Sequence, residues 1–353
     1  MAGSKPPLPK TSSLQTSIDR RRISHLPSSI LRRSDETRIR DVWSHNLLLE
    51  FRKIMRLLPD YPVVAMDTEF PGVVARPYGE FRSSVDYQYQ LMRANVDLLK
   101  IIQIGLSFFN HQGETPSECS TWQEDMYAQD SIALLQKSGI DFKRLETDGI
   151  NPIDFAELMY GSGLLLLDNV QWISFHSGYD FGYLVKMLTN RNLPNNETDF
   201  FIILRRFFPN IFDLKYLMKS TRHLKGGLQE IADQMKVLNE RSFTFVERTL
   251  FYKVRRVGPQ HQAGSDSLLT GKVYFKMKQT LFEGNINEQT FSGYLFGLSV
   301  PGANLVDAVS TDAESLTEGS KEAAEKLVLT ITSKSECVVT VSEDTRKHSQ
   351  EHS

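Results

Sequence analysis

The feature that most constrains this chain is a set of four acidic residues, each placed where an apolar stretch ends or begins. Asp67 and Glu69 follow the apolar residues 61–66, Asp180 follows residues 171–175, and Asp266 precedes an apolar helical pattern. A carboxylate beside apolar packing is costly unless a partner neutralises its charge. Four such groups brought together would repel one another, and a pair of divalent cations is the usual remedy. The sequence therefore predicts a site for divalent cations.

The spacing of Asp67 and Glu69 supports this interpretation. Two residues apart on a strand, their side chains leave the same face. An acidic pair with this spacing also suits a solvated loop, but here an apolar strand precedes it and Phe70-Pro71-Gly72 forms a predicted turn after it. This places both acids at the carboxyl end of a strand, where open α/β sheets bind ligands.

Asp180 and Asp266 are both predicted to lie in the first turn of a helix. An acid in that position is also favoured by the helix dipole alone, so Asp180 has a structural interpretation as well as a functional one. Pro259 and Gly264 flank His261 and favour a loop that folds this histidine back over Asp266. We therefore expect His261 beside the same site.

These residue types together predict a metal-dependent phosphodiesterase. Hard carboxylate oxygens select Mg²⁺ or Mn²⁺. Two such ions about 4 Å apart lower the pKa of a bridging water and stabilise the leaving oxygen of a phosphodiester. His261 is the candidate general base, because an unperturbed histidine pKa of about 6.5 suits proton transfer near neutrality.

Composition limits the alternatives. Lys and Arg number 41 against 43 Asp and Glu, which argues against a protein that coats duplex nucleic acid through bulk charge. Bound divalent ions could still supply positive charge locally.

Cys119 and Cys337 are far apart, so we expect neither a disulfide framework nor a zinc site. We expect instead a reducing intracellular compartment. The chain has no apolar run of bilayer length, so we expect a soluble protein without a membrane partner.

The pattern along the chain predicts one catalytic domain between polar ends. Residues 1–34 are predicted to be a disordered basic arm, residues 35–302 the α/β domain, and residues 303–353 a polar, mostly disordered tail. Helices are predicted over 42–58, 151–161, 179–189, 210–219, 227–235 and 265–282, and strands over 61–66, 100–109 and 171–175. Residues 110–130 are predicted to be polar loop, 131–135 to begin a helix, and 164–167 to end a helical region. Gly105 marks either an expected close approach of another segment or a bulge.

Longer segments around these residues carry a resemblance to a known family. Asp67, Glu69, Asp180 and Asp266, with His261 five residues before the last acid, match the DEDDh exonuclease pattern. The surrounding segments resemble the CCR-associated-factor (Caf/Pop) deadenylases: MDTEFPGVVARP at 66–77, FHSGYDFGYL at 175–184 and HQAGSDSLLT at 261–270. KGGL at 225–228 and GYLFGL at 293–298 also fit, and the similarity runs from about residue 34 to residue 300.

The resemblance implies an RNase-H-like fold, with a mixed sheet flanked by helices, and 3′-to-5′ removal of poly(A) from messenger RNA with release of 5′-AMP. It implies that Asp67, Glu69, Asp180 and Asp266 bind two divalent ions, Mg²⁺ or Mn²⁺, and that His261 is the general base. It also implies poly(A) RNA, a Not-type scaffold and a second deadenylase of the Ccr-Not complex as partners, in cytoplasm and nucleus.

One segment departs from the family pattern. After residue 237 the pattern runs almost directly into 255–259, whereas here residues 238–254 intervene just before His261. The segment is either a natural extra element or an insertion from a mispredicted or unspliced segment. Two other functions therefore stay open: a catalytically impaired adaptor of the same complex, and a DEDDh exonuclease of other substrate. Phe70 is a candidate contact for an adenine base and is equally a candidate core residue.

Overall fold

The computed structural model describes residues 39–126, 141–221, 224–242 and 254–298. Their strands form one mixed sheet, flanked by helices on both faces. The strands are β1 Ile39–Val42, β2 Val63–Glu69, β3 Gln103–Phe109, β4 Thr121–Asp125, β5 Gln171–Ser174 and β6 Asn210–Asp213. The helices are α1 Leu47–Leu57, α2 Ser84–Leu98, α3 Phe142–Asp148, α4 Pro152–Gly161, α5 Gly178–Thr189, α6 Glu197–Phe207, α7 Leu214–Leu217, α8 Leu228–Ser242, α9 Ala263–Leu281 and α10 Glu288–Phe291, with a 3₁₀ turn at Met218–Ser220.

The strands lie in the order β1-β4-β3-β2-β5-β6. β2 pairs antiparallel with β3 and parallel with β5, while β3 pairs antiparallel with β4. The β5–β6 and β1–β4 pairs are both parallel. The mixed sheet with flanking helices that the resemblance implied is therefore confirmed.

Each face of the sheet buries its own hydrophobic core, and β2 contributes to both. Val64 and Met66 point into a core with helices α1, α2, α4, α5 and α6. Val63 and Ala65 point into a second core, with α7, α8 and α9. Because strand side chains alternate, Asp67 and Glu69 continue the second series and face α9.

Glycines let α9 lie directly on the sheet. A Cβ atom at Gly105 would overlap the backbone carbonyl of Ala263, at the first residue of α9. A Cβ atom at Gly271, two turns further on, would overlap the ring of Phe109 on β3. The close approach predicted at Gly105 is confirmed, and it brings the start of α9 near the end of β2.

Two predicted segments were wrong. Residues 110–130 were expected to be polar loop, but Thr121–Asp125 forms β4, in which every residue is buried. Polar side chains can be buried in this strand because neighbouring groups form hydrogen bonds with many of them. The hydropathy of the strand therefore resembles that of a loop. Residues 210–219 were expected to be one helix, but Asn210–Asp213 pairs with β5 as an edge strand before α7 begins. So short a run carries no clear periodicity.

Other predicted boundaries hold in part. β2 begins two residues later than expected and continues through Asp67 to Glu69. Residues 164–167 lie after the end of α4, as bends and irregular backbone. Strand β1 and helices α2, α3, α6 and α10 had not been predicted, and the helix expected from residue 42 begins at Leu47. Both terminal arms and the predicted helix start at 131–135 lie outside the described residues, and the proposed domain boundaries stay predictions. The backbone of residues 238–242, the start of the atypical segment, extends α8. None of the helices in the described part of the chain is long and apolar enough to cross a membrane.

Candidate metal centre

Three of the four predicted acids meet at the end of β2. One carboxylate oxygen each from Asp67, Glu69 and Asp266 lies within 4.8 Å of the others. The first two residues share one face of β2, and Asp266 approaches that face from the first turn of α9. The predicted convergence of side chains from distant parts of the chain is therefore present for these three residues.

The position of Asp266 depends on how the sheet holds the start of α9. The first N–H groups of a helix have no partner within the helix. Here Gln103 on β3 accepts a hydrogen bond from the Ala263 N–H (2.8 Å), and Gln123 on β4 accepts one from the Gly264 N–H (3.1 Å). Both glutamines also donate to the side-chain oxygen of Gln262, at 3.3 Å each. These bonds fix the helix end on two strands at once.

Asp180 lies beside the trio rather than within it. Its Oδ1 atom accepts hydrogen bonds from the Thr68 N–H (3.0 Å) and the Thr68 hydroxyl (2.7 Å). Thr68 is the residue between Asp67 and Glu69, so one short stretch of β2 carries two of the acids and orients a third. The acid stands in the first turn of α5, as predicted, and is buried.

Burial and mutual repulsion make these carboxyl groups hard to ionise. Burial raises the pKa of Asp67 well above its usual range, and the charges of Asp180, Asp266 and Glu69 raise it further. Burial, then Asp266 and Asp180, raises the pKa of Glu69 to about 8. Burial also raises the pKa of Asp180 to about 6, against the hydrogen bonds from Thr68. A cation bound here would favour the ionised forms.

His261 stands immediately before α9, in the loop predicted for it. Its backbone N–H donates to Asp266 Oδ2 at 2.9 Å, with a positive φ of 60°. The backbone therefore folds back onto Asp266, while the residue as a whole is exposed to solvent. The role of His261 as general base stays a prediction.

Arg256 is a further residue of this site that the sequence analysis did not identify. Its Nη1 atom lies 2.6 Å from Asp266 Oδ1 and 3.0 Å from the Ser265 hydroxyl. Gln103 and Gln123 were missed as well. Polar amides inside strands are a usable signal for such contacts, whereas Arg256 carries no local signal that distinguishes it from Arg255.

Phe70 packs against aromatic residues of α5. Its ring stacks on Tyr179, with centroids 5.2 Å apart and planes 15° apart, and lies 5.1 Å from the ring of Tyr183. The residue is partly buried and contacts the core of helices α1, α2 and α4 to α6. A cluster of three aromatic rings therefore begins at the residue after Glu69. Contact of Phe70 with an adenine base stays a prediction.

The donor set fits hard divalent cations. Asp67, Glu69 and Asp266 offer only oxygen atoms, at a separation that one ion can bridge, and Asp180 adds a fourth carboxylate alongside. Oxygen-only sets of this kind suit Mg²⁺ and Mn²⁺. Burial, together with the neighbouring carboxylates, raises the pKa of Asp67 and of Glu69, and a cation between them would offset both effects. These four residues would hold the ions; their individual roles as ligands stay predictions.

Comparison with known proteins gives the family. The model of the CAF1 family ribonuclease matches residues 42–157 and 164–274. The poly(A) ribonuclease pop2 of Schizosaccharomyces pombe is 50% identical over 275 residues, which cover 76% of this chain and 77% of that protein.

Solved structures agree with this match. S. pombe Pop2p in its Mg²⁺- and Mn²⁺-bound form is 51% identical, with a TM-score of 0.65 over 74% of this chain and 99% of that one. A chain in the structure of the yeast NOT1 MIF4G domain co-crystallised with CAF1 is 30% identical, with a TM-score of 0.57 over 74% of this chain and 97% of that one. The chain therefore belongs to the CAF1 ribonuclease family.

Proposed function

We propose that this chain is a 3′-to-5′ poly(A) exoribonuclease that shortens messenger RNA tails by hydrolysis with two divalent ions, Mg²⁺ or Mn²⁺, releasing 5′-AMP as a catalytic subunit of a Ccr-Not complex. The observation that carries the proposal is the meeting of Asp67, Glu69 and Asp266 within 4.8 Å, in a chain of the CAF1 ribonuclease family.

The relatives support the substrate, the ions and the scaffold in this proposal. The S. pombe relative with half its residues identical is named a poly(A) ribonuclease, and its solved structure carries Mg²⁺ and Mn²⁺. The yeast CAF1 structure contains the NOT1 MIF4G domain. We extend the reaction, the ions and the Not-type scaffold to this chain because the acids of the centre are all present and three of them converge.

The residues of the centre have two kinds of role: the carboxylates bind the cations, and His261 transfers a proton. Divalent ions bound here would lower the pKa of an attacking water and stabilise the leaving oxygen of the phosphodiester. Asp67 and Glu69 provide a rigid pair of ligands on β2, and Thr68 orients Asp180 through two hydrogen bonds. The glutamines of β3 and β4 hold the first turn of α9, so that Asp266 faces the pair.

His261 completes the proposed chemistry as the group that takes the proton from water. Its exposure allows the imidazole to pass that proton on to solvent, and its backbone bond to Asp266 keeps the loop at the centre. An apo site often shows longer contacts at a catalytic base than the working complex does. The role is tested by His261→Gln, which keeps a polar side chain but cannot act as a base near neutral pH.

The main experiment follows the shortening of 5′-labelled oligo(A) by the purified full chain in Mg²⁺ or Mn²⁺ buffer. We expect a ladder of shorter products and 5′-AMP, and loss of both in Asp67→Asn. Asp154→Asn is the matched control, because Asp154 is an exposed acid in the first turn of α4. Equal shortening by wild type and Asp67→Asn would reject the proposal.

The nature of the substrate needs a separate comparison. An enzyme that reads the 2′-hydroxyl prefers ribose to deoxyribose, so oligo(A) should be shortened faster than oligo(dA) of equal length. Equal rates would favour a DEDDh exonuclease of other substrate. An inactive wild-type chain that gains activity when residues 238–254 are deleted would instead favour the adaptor.

The assembly and its location are further parts of the proposal. We expect the chain to bind a Not-type MIF4G domain directly, together with a second deadenylase, and to be present in both cytoplasm and nucleus. Purified MIF4G domain in a pull-down tests the first expectation. Imaging of the tagged full chain tests the second, and exclusion from either compartment would contradict it.

A further inference from the structure

We propose that Arg256 is a positioning residue of the metal centre, which holds Asp266 in its ligand orientation and, through its positive charge, sets how tightly the centre binds divalent cations. The inference rests on the proposed function of the same centre. It assigns a role to a side chain outside the four acids and His261.

The contact between Arg256 and Asp266 is short and well enclosed. Nη1 lies 2.6 Å from Asp266 Oδ1, and both side chains are only 13% exposed. The other oxygen of the same carboxylate accepts the His261 N–H at 2.9 Å. Each oxygen of Asp266 therefore has one protein donor, which fixes the plane of the carboxylate and leaves a second lone pair on each oxygen for another partner.

Arg256 is itself held from two sides. Its Nε atom donates to Gln229 Oε1 on α8 at 2.7 Å, and Nη1 also donates to the Ser265 hydroxyl at 3.0 Å. The guanidinium thus bridges α8 to the first turn of α9. Val254, two residues before it, is buried in the core between these helices. These contacts keep the positive charge at the acids instead of in solvent.

The charge acts on more than its direct partner. Burial and the surrounding carboxylates raise the pKa of Asp67, and Arg256 opposes that rise. A guanidinium so placed compensates part of the negative charge of the centre. A divalent cation held by Asp266 would be repelled by the same guanidinium, in a partly buried place where water screens charges weakly. Removing the charge while keeping a hydrogen-bond donor should therefore tighten cation binding.

The test measures Mn²⁺ binding by calorimetry for the full-length chain and its variants. Arg256→Gln should bind Mn²⁺ ~10-fold more tightly than wild type, because it loses one full charge next to a ligand. Arg256→Lys keeps the charge and should stay within ~2-fold of wild type. Arg255→Gln is the matched control: it removes the same charge from the neighbouring, exposed residue and should leave the affinity unchanged.

A merely structural role would give a different result. If Arg256 only ties α8 to α9, Arg256→Gln would lower the melting temperature and leave the Mn²⁺ affinity unchanged or weaker, and either result overturns the proposal. Equal tightening in Arg255→Gln would also overturn it, because the effect would then be one of bulk charge.

Two further variants keep the test decisive. If Arg256→Gln does not fold, Arg256→Met takes its place, because it keeps an unbranched side chain beside α8 and removes the charge. Tighter Mn²⁺ binding by Arg256→Met supports the proposal, and unchanged or weaker binding overturns it. Asp266→Asn separates this inference from the proposed function. If this variant binds Mn²⁺ as tightly as wild type, the proposed metal centre is rejected, regardless of the results for the arginine variants.

Discussion

The sheet carries two pairs of acidic residues, and only one pair takes part in the metal centre. The pairs are Asp67 and Glu69 on β2, and Glu124 and Asp125 on β4. The β2 acids stand two residues apart, so both face α9 and meet Asp266. The β4 acids are adjacent, so they lie on opposite faces. Asp125 accepts a hydrogen bond from Gln103 beneath α9, whereas neither carboxylate oxygen of Glu124 has a hydrogen-bond partner.

Electrostatics alone does not separate the two pairs. Burial raises the pKa of Glu69 to about 8 and that of Asp125 to about 7, and it also raises that of Glu124. What distinguishes the β2 pair is convergence, since its oxygens approach those of a third acid from another element. A carboxyl group with a raised pKa is therefore weak evidence for a metal centre. Carboxylates that share one face of a strand and meet a third acid are stronger evidence.

The largest expected contrast comes from removing one charge from each strand. Glu69→Gln should lower the rate of oligo(A) shortening on the order of 100-fold or more, because it removes a ligand oxygen charge from the centre. Glu124→Gln changes the same functional group on β4 and should leave the rate close to that of wild type. Initial rates at saturating Mn²⁺ measure both, and similar losses in the two variants would contradict the contrast.

The next expected effect concerns pH and metal together. Because folding raises the pKa of Glu69 and Asp180, the folded chain binds more protons than the unfolded chain above about pH 4. In EDTA its free energy of unfolding should therefore be highest at acid pH and fall as the pH rises toward 8. Mn²⁺ favours the ionised carboxylates and should remove most of this loss. Urea unfolding at several pH values measures it.

Glu69→Gln provides the control for that experiment. In this variant Mn²⁺ should restore little of the free energy of unfolding that is lost at high pH. The part of the pH dependence that comes from Glu124 and Asp125 should remain. If Mn²⁺ stabilises this variant as much as wild type at pH 8, the ions bind elsewhere.

A smaller effect is expected from the unpartnered acid of β4. Glu124→Met keeps the length of the side chain and removes its polar atoms, so the free energy of unfolding should rise by ~1–3 kcal/mol at pH 8. Burial raises the pKa of Glu124, so wild type loses stability as the pH rises above the ordinary range of a carboxyl group, and the variant should not. Urea unfolding at pH 5 and pH 8 tests this, and a destabilised variant would show that Glu124 has a favourable role.

The smallest expected effect concerns the hydroxyl that orients Asp180. Thr68→Val removes the 2.7 Å hydrogen bond to Asp180 Oδ1 but keeps the one from the backbone N–H. We expect a loss of ~1–2 kcal/mol in stability and a several-fold lower rate. Thr68→Ser keeps a hydroxyl and should lose less. Equal behaviour of the two variants would mean that the backbone bond alone positions Asp180.

Much of the centre could be predicted from local patterns. The apolar run before Asp67, the two-residue spacing to Glu69 and the helical pattern after Asp266 are all properties of a few neighbouring residues. They sufficed to place these acids on a strand and at a helix start. The resemblance to the deadenylases then supplied the fold and the reaction.

What local patterns could not predict depends on segments far apart in the chain. β4 is rich in polar residues, and only its pairing with β1 and β3 makes it a buried strand. Gln103 and Gln123 fix α9 across about 140 to 160 residues. Nothing in their own neighbourhoods indicates such contacts.

The sequence by itself determined which residues carry charge, which face of β2 they share, and which family the chain resembles. Only the tertiary structure decided that Asp266 meets that face, that Asp180 is oriented through Thr68, and that Arg256 rather than Arg255 reaches the centre. The physical reason is that periodicity and spacing report the direction of side chains along one element. Hydrogen bonds and ion pairs between elements depend on distances that arise only when the sheet and helices pack.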